Sequence, residues 1–239
     1  MHLRWSRHQV LGIDFRKRNR DRAATEKRGE QVVSGADGEL ASYQEKRDCG
    51  ITPESSPNDG DLNWAAERPV FRIQEHAASS LHYDFRIEVE GVLKSWAVPK
   101  GLSTDPSVRR LAIPNEDHPL SHADFEGVIP EGEYGGGTVL VWDRGSYRNL
   151  KEAGDDREGP RPVSEQLDEG DATIWLEGEQ LSGGHALIRT SEGDDPMWLL
   201  IKMRDVDADA RRKPTSTEPA SVKGGRTLEE IDRDEAGGA

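Results

Sequence analysis

The chain has 239 residues, of which 33% are hydrophobic and 33% charged, enough for one domain of ordinary size with tails that stay outside its core. A formal net charge of −14 excludes a broad basic face for nucleic acid. The single cysteine, Cys49, excludes an internal disulfide and a thiolate zinc cluster, so any metal must be held by imidazole and carboxylate.

Residues 1–40 carry nine Lys/Arg against six Asp/Glu, a net of +3, and lack convincing periodicity. They read as a disordered basic arm that can neutralise about three phosphates at most. Arg4 and Arg7 are followed only by the short Val10–Ile13 run, so no signal peptide is expected. No apolar run of about 18 residues predicts a membrane span, and a cytoplasmic, reducing location fits best. Residues 41–205 read as the folded domain, with a turn-rich connector at 55–68. Short apolar or alternating runs then recur at Val70–Gln74, Leu81–Val89, Val92–Val98, Arg110–Ile113, Thr138–Trp142, Ala172–Leu176, His185–Thr190 and Met197–Met203. Gly, Pro and Asp clusters separate them, which predicts a mainly all-β barrel or sandwich. Residues 150–171 hold three basic and eight acidic side chains and read as a solvated loop. Residues 206–239 read as a disordered tail with at most a short helix near Thr227–Ile231.

Leu81–Val89 alternates without a break. Leu81, Tyr83, Phe85, Ile87 and Val89 share one face, and His82, Asp84, Arg86 and Glu88 the other. The polar face has two readings: the solvated side of an amphipathic strand, or an ion site at His82 and Asp84 with Arg86 placed for a phosphate. His76, at the end of the preceding run, offers a second imidazole. Four of the seven histidines, His76, His82, His118 and His122, fall within 47 residues. His118 lies in the turn-like Glu116–Pro119 stretch, where it is either an unremarkable loop histidine or a group able to donate to phosphate or move a proton. Lys100 and Arg110 flank a Pro- and Gly-containing loop and either touch phosphate or are simply solvated. The Gly132–Gly137 stretch lacks the Lys-Ser/Thr of a P-loop and reads as a tight turn.

The strings HYDFR (82–86), LKSWAVPKG (93–101), EDHPL (116–120) and ADFEGVIPEGEYG (123–135), in that order, resemble the 3′-phosphoesterase domain family of bacterial DNA ligase D. Tyr43-x-x-Lys46-Arg47-Asp48, Thr52-Pro53-Glu54 and the late Trp198–Lys202 run extend the resemblance over about residues 43–205. The resemblance implies a compact β-barrel with a crescent-shaped groove. It also implies manganese-dependent removal of a 3′-terminal ribonucleoside, then of the remaining 3′-phosphate, at DNA primer-template ends. By motif position, His76, His82 and Asp84 are the implied metal ligands, and other divalent transition metals suit the same donors. Arg86 and His118 are the implied phosphate contacts. Arg47, Asp48, Glu54, Gln74, Lys100, Arg110 and Glu116 match further positions important in the family.

Where the family usually has Tyr, this chain has His122, so phosphate-monoester removal is the step most exposed to the change. No nucleotidyltransferase or primase motif accompanies the barrel, which reads as a free-standing module. Ligase, polymerase and Ku-like partners acting in trans are implied by family only. The alternatives are a non-catalytic end-binding module and a phosphohydrolase of small esters.

Overall fold

The computed structural model describes Leu40 and residues 68–152, 161–191, 193 and 196–236. Residues 1–39 of the basic arm lie outside the described residues, as do Arg47, Asp48 and Glu54 of the expected domain.

Nine strands follow in chain order: β1 (Val70–Ala77), β2 (Leu81–Val89), β3 (Val92–Val98), β4 (Arg109–Pro119), β5 (Gly127–Ile129), β6 (Gly137–Asn149), β7 (Asp171–Gly178), β8 (Ser182–Arg189) and β9 (Trp198–Lys202). All pairs are antiparallel. The order β1-β2-β3-β4-β9-β8-β7-β6 closes because β6 returns to β1, giving an eight-stranded barrel with β5 as an extra strand on β6. The long β6 serves three neighbours: β1 along Thr138–Ser146, β5 at its start and β7 at its end.

The alternation in β2 shows why the sheet closes. Tyr83, Phe85, Ile87 and Val89 enter one core cluster with Phe71, Ile73, Trp96, Leu140, Trp142, Leu176, Leu187 and Trp198. Its aromatic rings meet edge-on at Tyr83–Trp142 (5.5 Å) and Trp96–Trp198 (5.9 Å). The opposite, polar face of β2 is not solvated. Asp84 and Arg86 are each only 3% exposed, because a 3-10 turn at Leu120–Asp124 and the short β5 are placed over this side of the barrel.

Three sequence expectations need correction. The acidic 150–171 segment contains a helix, α1 (Val163–Glu169). Its Gln166 is fully buried and bonds to Asn149, the Arg161 carbonyl and the Thr173 amide, so one amide side chain anchors an otherwise acidic helix. His118 belongs to the end of β4, paired with Leu93, not to a loop. The expected disordered tail instead follows the barrel wall through α2 (Pro214–Thr217) and α3 (Leu228–Ala236). Trp142 donates its indole N–H to the Glu218 carbonyl at 2.7 Å, Val222 bonds its amide to the Val141 carbonyl at 3.0 Å, and Ile231 is fully buried in the core cluster. A low apolar fraction hid this segment, since few apolar side chains and a few hydrogen bonds suffice to dock it. Among the described residues no helix is long and apolar enough to cross a membrane.

Candidate functional site

The register of the β1–β2 hairpin places His76 directly opposite His82, and Gln74 opposite Asp84. The two imidazole rings lie 4.8 Å apart. Their ligand atoms and the Asp84 carboxylate all fall within 4.8 Å of one another. His76 Nε2 bonds to the Gly135 carbonyl at 2.9 Å, and His82 Nδ1 to the Ser80 carbonyl at 3.0 Å. A ring nitrogen next to a carbonyl must carry the proton. In the neutral ring the other nitrogen, His76 Nδ1 or His82 Nε2, is the one left with the lone pair, and these two face Asp84 at 3.8 and 3.7 Å.

Asp84 completes the set. Its Oδ2 accepts from Arg86 Nη2 at 3.0 Å, while its buried Oδ1 has no hydrogen-bond partner among the described residues. A buried carboxylate with Oδ1 towards His82 Nε2 and Oδ2 towards His76 Nδ1 fits a divalent ion held with both imidazoles. The N and O donors suit manganese, zinc or a similar transition metal. Burial alone would raise the Asp84 carboxyl, but the Arg86 guanidinium, with His76 and His82, reverses that and holds it below the ordinary carboxylate range.

Three bonds among the described residues lock Arg86. Nε donates to Gln74 Oε1 at 2.8 Å, Nη1 to Ser95 Oγ at 2.8 Å, and Nη2 to Asp84. Gln74 in turn donates to the Phe125 carbonyl at 2.9 Å. It thus supports Arg86 and the covering turn without lining the groove. His118 Nδ1 bonds to the Glu116 carbonyl at 2.9 Å, which directs Nε2 elsewhere. Glu116 meets the site through that carbonyl. His122, in the 3-10 turn, lies 4.7 Å from the His118 ring and stacks on Phe125 at 5.5 Å. All four clustered histidines, with Asp84 and Arg86, line one groove.

Other expected residues are not brought there. Lys100 is exposed in the turn that follows β3, closed by the Gly101 amide on the Val98 carbonyl, and does not line the groove. Arg110 shares its face of β4 with the core residue Ala112, opposite to Asn115, so strand parity turns it away from the groove. Among the lining residues that escaped the sequence reading, two carry hydrogen-bonding side chains, Asn115 and Tyr134. Asn115 reaches the groove because it pairs with Ser95, beside a register shift between β3 and β4. Tyr134 sits in the glycine-rich turn that also supplies the Gly135 carbonyl to His76; an aromatic side chain inside such a turn was the available signal.

Residues 74–189 match the DNA ligase D 3′-phosphoesterase domain. The multifunctional non-homologous end joining protein LigD of Pseudomonas aeruginosa is 46% identical over 198 residues, covering 79% of this chain and 22% of that protein. The LigD DNA repair protein of Mycobacterium tuberculosis is 44% identical over 170 residues, covering 70% and 20%. That of Mycolicibacterium smegmatis is 40% identical over 171 residues, covering 70% and 21%. The chain thus spans about a fifth of the length of the curated relatives it matches. With that match centred on the strands that build the groove, the chain belongs to the DNA ligase D 3′-phosphoesterase domain family.

Proposed function

We propose that this chain is a metal-dependent phosphoesterase that clears 3′ ends of DNA during break repair by end joining. The observation that carries this reading is the grouping of His76, His82 and Asp84 within 4.8 Å, in the same groove as Arg86 and His118. The substrates that fit are primer-template ends with a terminal ribonucleotide or a 3′-phosphate.

His76 Nδ1, His82 Nε2 and the Asp84 carboxylate would hold the ion, for which manganese is our choice. Once bound, it supplies Lewis-acid stabilisation of charge on the phosphoryl oxygens. Arg86, held by Gln74, Ser95 and Asp84, presents a fixed guanidinium to a phosphoryl oxygen, and fixed donors need little reorganisation as charge builds. His118 Nε2 passes a proton to the leaving oxygen. In the first step water attacks phosphorus, the bond to the terminal ribonucleoside breaks, and its 5′ oxygen takes that proton. In the second, water displaces the strand's 3′ oxygen, which leaves as a 3′-OH with release of inorganic phosphate. His122, beside His118, contacts the terminal phosphate in this second step. Ligase, polymerase and Ku-like proteins would act on the cleaned end in trans.

The test is digestion of an end-labelled primer-template carrying one terminal ribonucleotide, with and without manganese, resolving 3′-phosphate from 3′-OH products. Binding of such ends without any metal-dependent product would replace the enzyme by an end-binding module.

A further inference from the structure

The wall that carries His122 is not made by the barrel alone. Leu120–Phe125 is tied to the barrel where Gln74 donates to the Phe125 carbonyl at 2.9 Å and Arg72 donates to the Asp124 carboxylate at 3.1 Å. From behind, Lys223 donates to the Asp124 carbonyl at 2.6 Å. The next residue, Glu126, has a side chain only 4% exposed. Its carboxylate accepts from the Val141 amide on β6 at 3.2 Å and from the Ser221 hydroxyl, and pairs with Arg226 at 3.6 Å.

The loop making these contacts is itself fixed. The Ser221 amide bonds to the Arg226 carbonyl at 2.8 Å, and Ser221 Oγ accepts from the Lys223 and Gly224 amides at 3.0 and 2.9 Å. A carboxylate this buried is tolerated only with such donors in place, so loop and wall are held as one unit. The loop lies outside residues 74–189, which match the family.

We propose that the Ser221–Arg226 loop is a positioning element of the groove: acting through Glu126, it fixes the segment that presents His122. The two ligand imidazoles are braced elsewhere, by the Gly135 and Ser80 carbonyls, and Asp84 meets the wall at one remove, through Arg86 and Gln74. Loosening the loop therefore disturbs the phosphate side of the groove and spares the ion side. The catalytic readout of this inference rests on the phosphoesterase reading above; its structural readout does not.

The test compares the full chain with its Ser221→Ala/Arg226→Met variant, and with Glu126→Gln, which keeps an acceptor for Val141. Amide hydrogen exchange at residues 120–126 should quicken about tenfold in the double variant and less in Glu126→Gln. kcat/KM on a 3′-phosphate primer-template should fall about tenfold, since a shift of about 1 Å can cost a hundredfold. Manganese affinity, read from the paramagnetic resonance of the free ion, should stay within about twofold of wild type. Unchanged exchange overturns the inference, as does faster exchange with unchanged kcat/KM. Parallel loss of manganese affinity also overturns it, because that is general loosening. If wild type turns over no 3′-ended substrate, the phosphoesterase reading fails. The positioning role is then decided by exchange together with the affinity of the manganese-loaded protein for inorganic phosphate, expected to weaken about tenfold.

Discussion

The Asp84 carboxylate and the Arg86 guanidinium, two residues apart on β2, meet at 3.0 Å on the side of the barrel wall away from its apolar core. The pair divides the carboxylate: Oδ2 accepts from Arg86 and lies 3.8 Å from His76 Nδ1, while Oδ1 faces His82 Nε2 at 3.7 Å. A structural ion pair and an ion site therefore share one side chain. Removing His82 and removing Asp84 should then have different costs. His82→Ala, whose side chain is 19% exposed, should abolish turnover and weaken manganese binding with a stability loss of about 1 kcal/mol or less. Asp84→Ala should do the same to activity and also lose about 3–5 kcal/mol, because it removes the carboxylate facing a buried guanidinium. Urea unfolding beside metal titration separates the two; equal stabilities would contradict the pair's structural role.

His185 and Asp143 should give opposite pH dependences of stability. Burial, then the neighbouring Lys202 ammonium, pushes buried His185 down to about 4. Its unfolded form binds a proton that the folded form refuses, so stability is lost as pH falls from about 6.5 to about 4, by roughly 3 kcal/mol. Burial pushes Asp143 up to about 6, against four backbone N–H donors. Its folded form holds a proton that the unfolded form releases, so stability is lost as pH rises from about 4 to about 6, by a similar amount. The two slopes offset in wild type. Urea unfolding between pH 4 and 7 should show stability falling with rising pH in His185→Gln and rising with pH in Asp143→Asn. Three superimposable profiles would count against both assignments.

His122→Tyr should change the pH profile of 3′-phosphate removal. An ordinary imidazole changes charge near neutrality, whereas a phenol keeps its proton to about pH 10. At saturating manganese, the variant should lose a component of the rate that varies between about pH 6 and 8. Coincident profiles for the two proteins would remove His122 from the phosphate site.

Gly137→Ala should damage the site from outside it. Gly137 has φ +141°, and an added Cβ would lie 2.2 Å from the Ala77 carbonyl. The start of β6 must then move away from β1, taking with it the turn whose Gly135 carbonyl orients His76. A loss of about 2 kcal/mol or more is expected with weaker manganese binding. A crystal structure of the variant with an unmoved β6 start would refute the argument.

Much of this arrangement was legible because β2 announces itself. Nine alternating residues fix which side chains share a face, and the short Ala78–Ser80 connection fixes the hairpin register that sets His76 against His82. What was illegible depended on partners far along the chain. The burial of the polar face comes from the covering turn at 120–124, which no local pattern in β2 reveals. The place of Arg110 stayed open because a flanking loop says nothing about strand parity, and Asn115 was missed because its place depends on an irregular β3–β4 register. β5 was lost because three residues make no periodicity, and the docked tail because its apolar anchors, Ile231 with Leu228 beside the core, are few and its other ties are hydrogen bonds.

The meeting of β1 with β6 also sets the order in which a working molecule can be assembled. The hairpin β1–β2 can form early from neighbouring residues, carrying His76, His82, Asp84 and Arg86 with it. The carbonyl that settles the His76 tautomer arrives 59 residues later in the chain, when the barrel shuts. A half-built molecule therefore owns every proposed ligand but lacks the contact that aims one of them. Refolding chains should gain β-structure first and tight ion affinity only at closure.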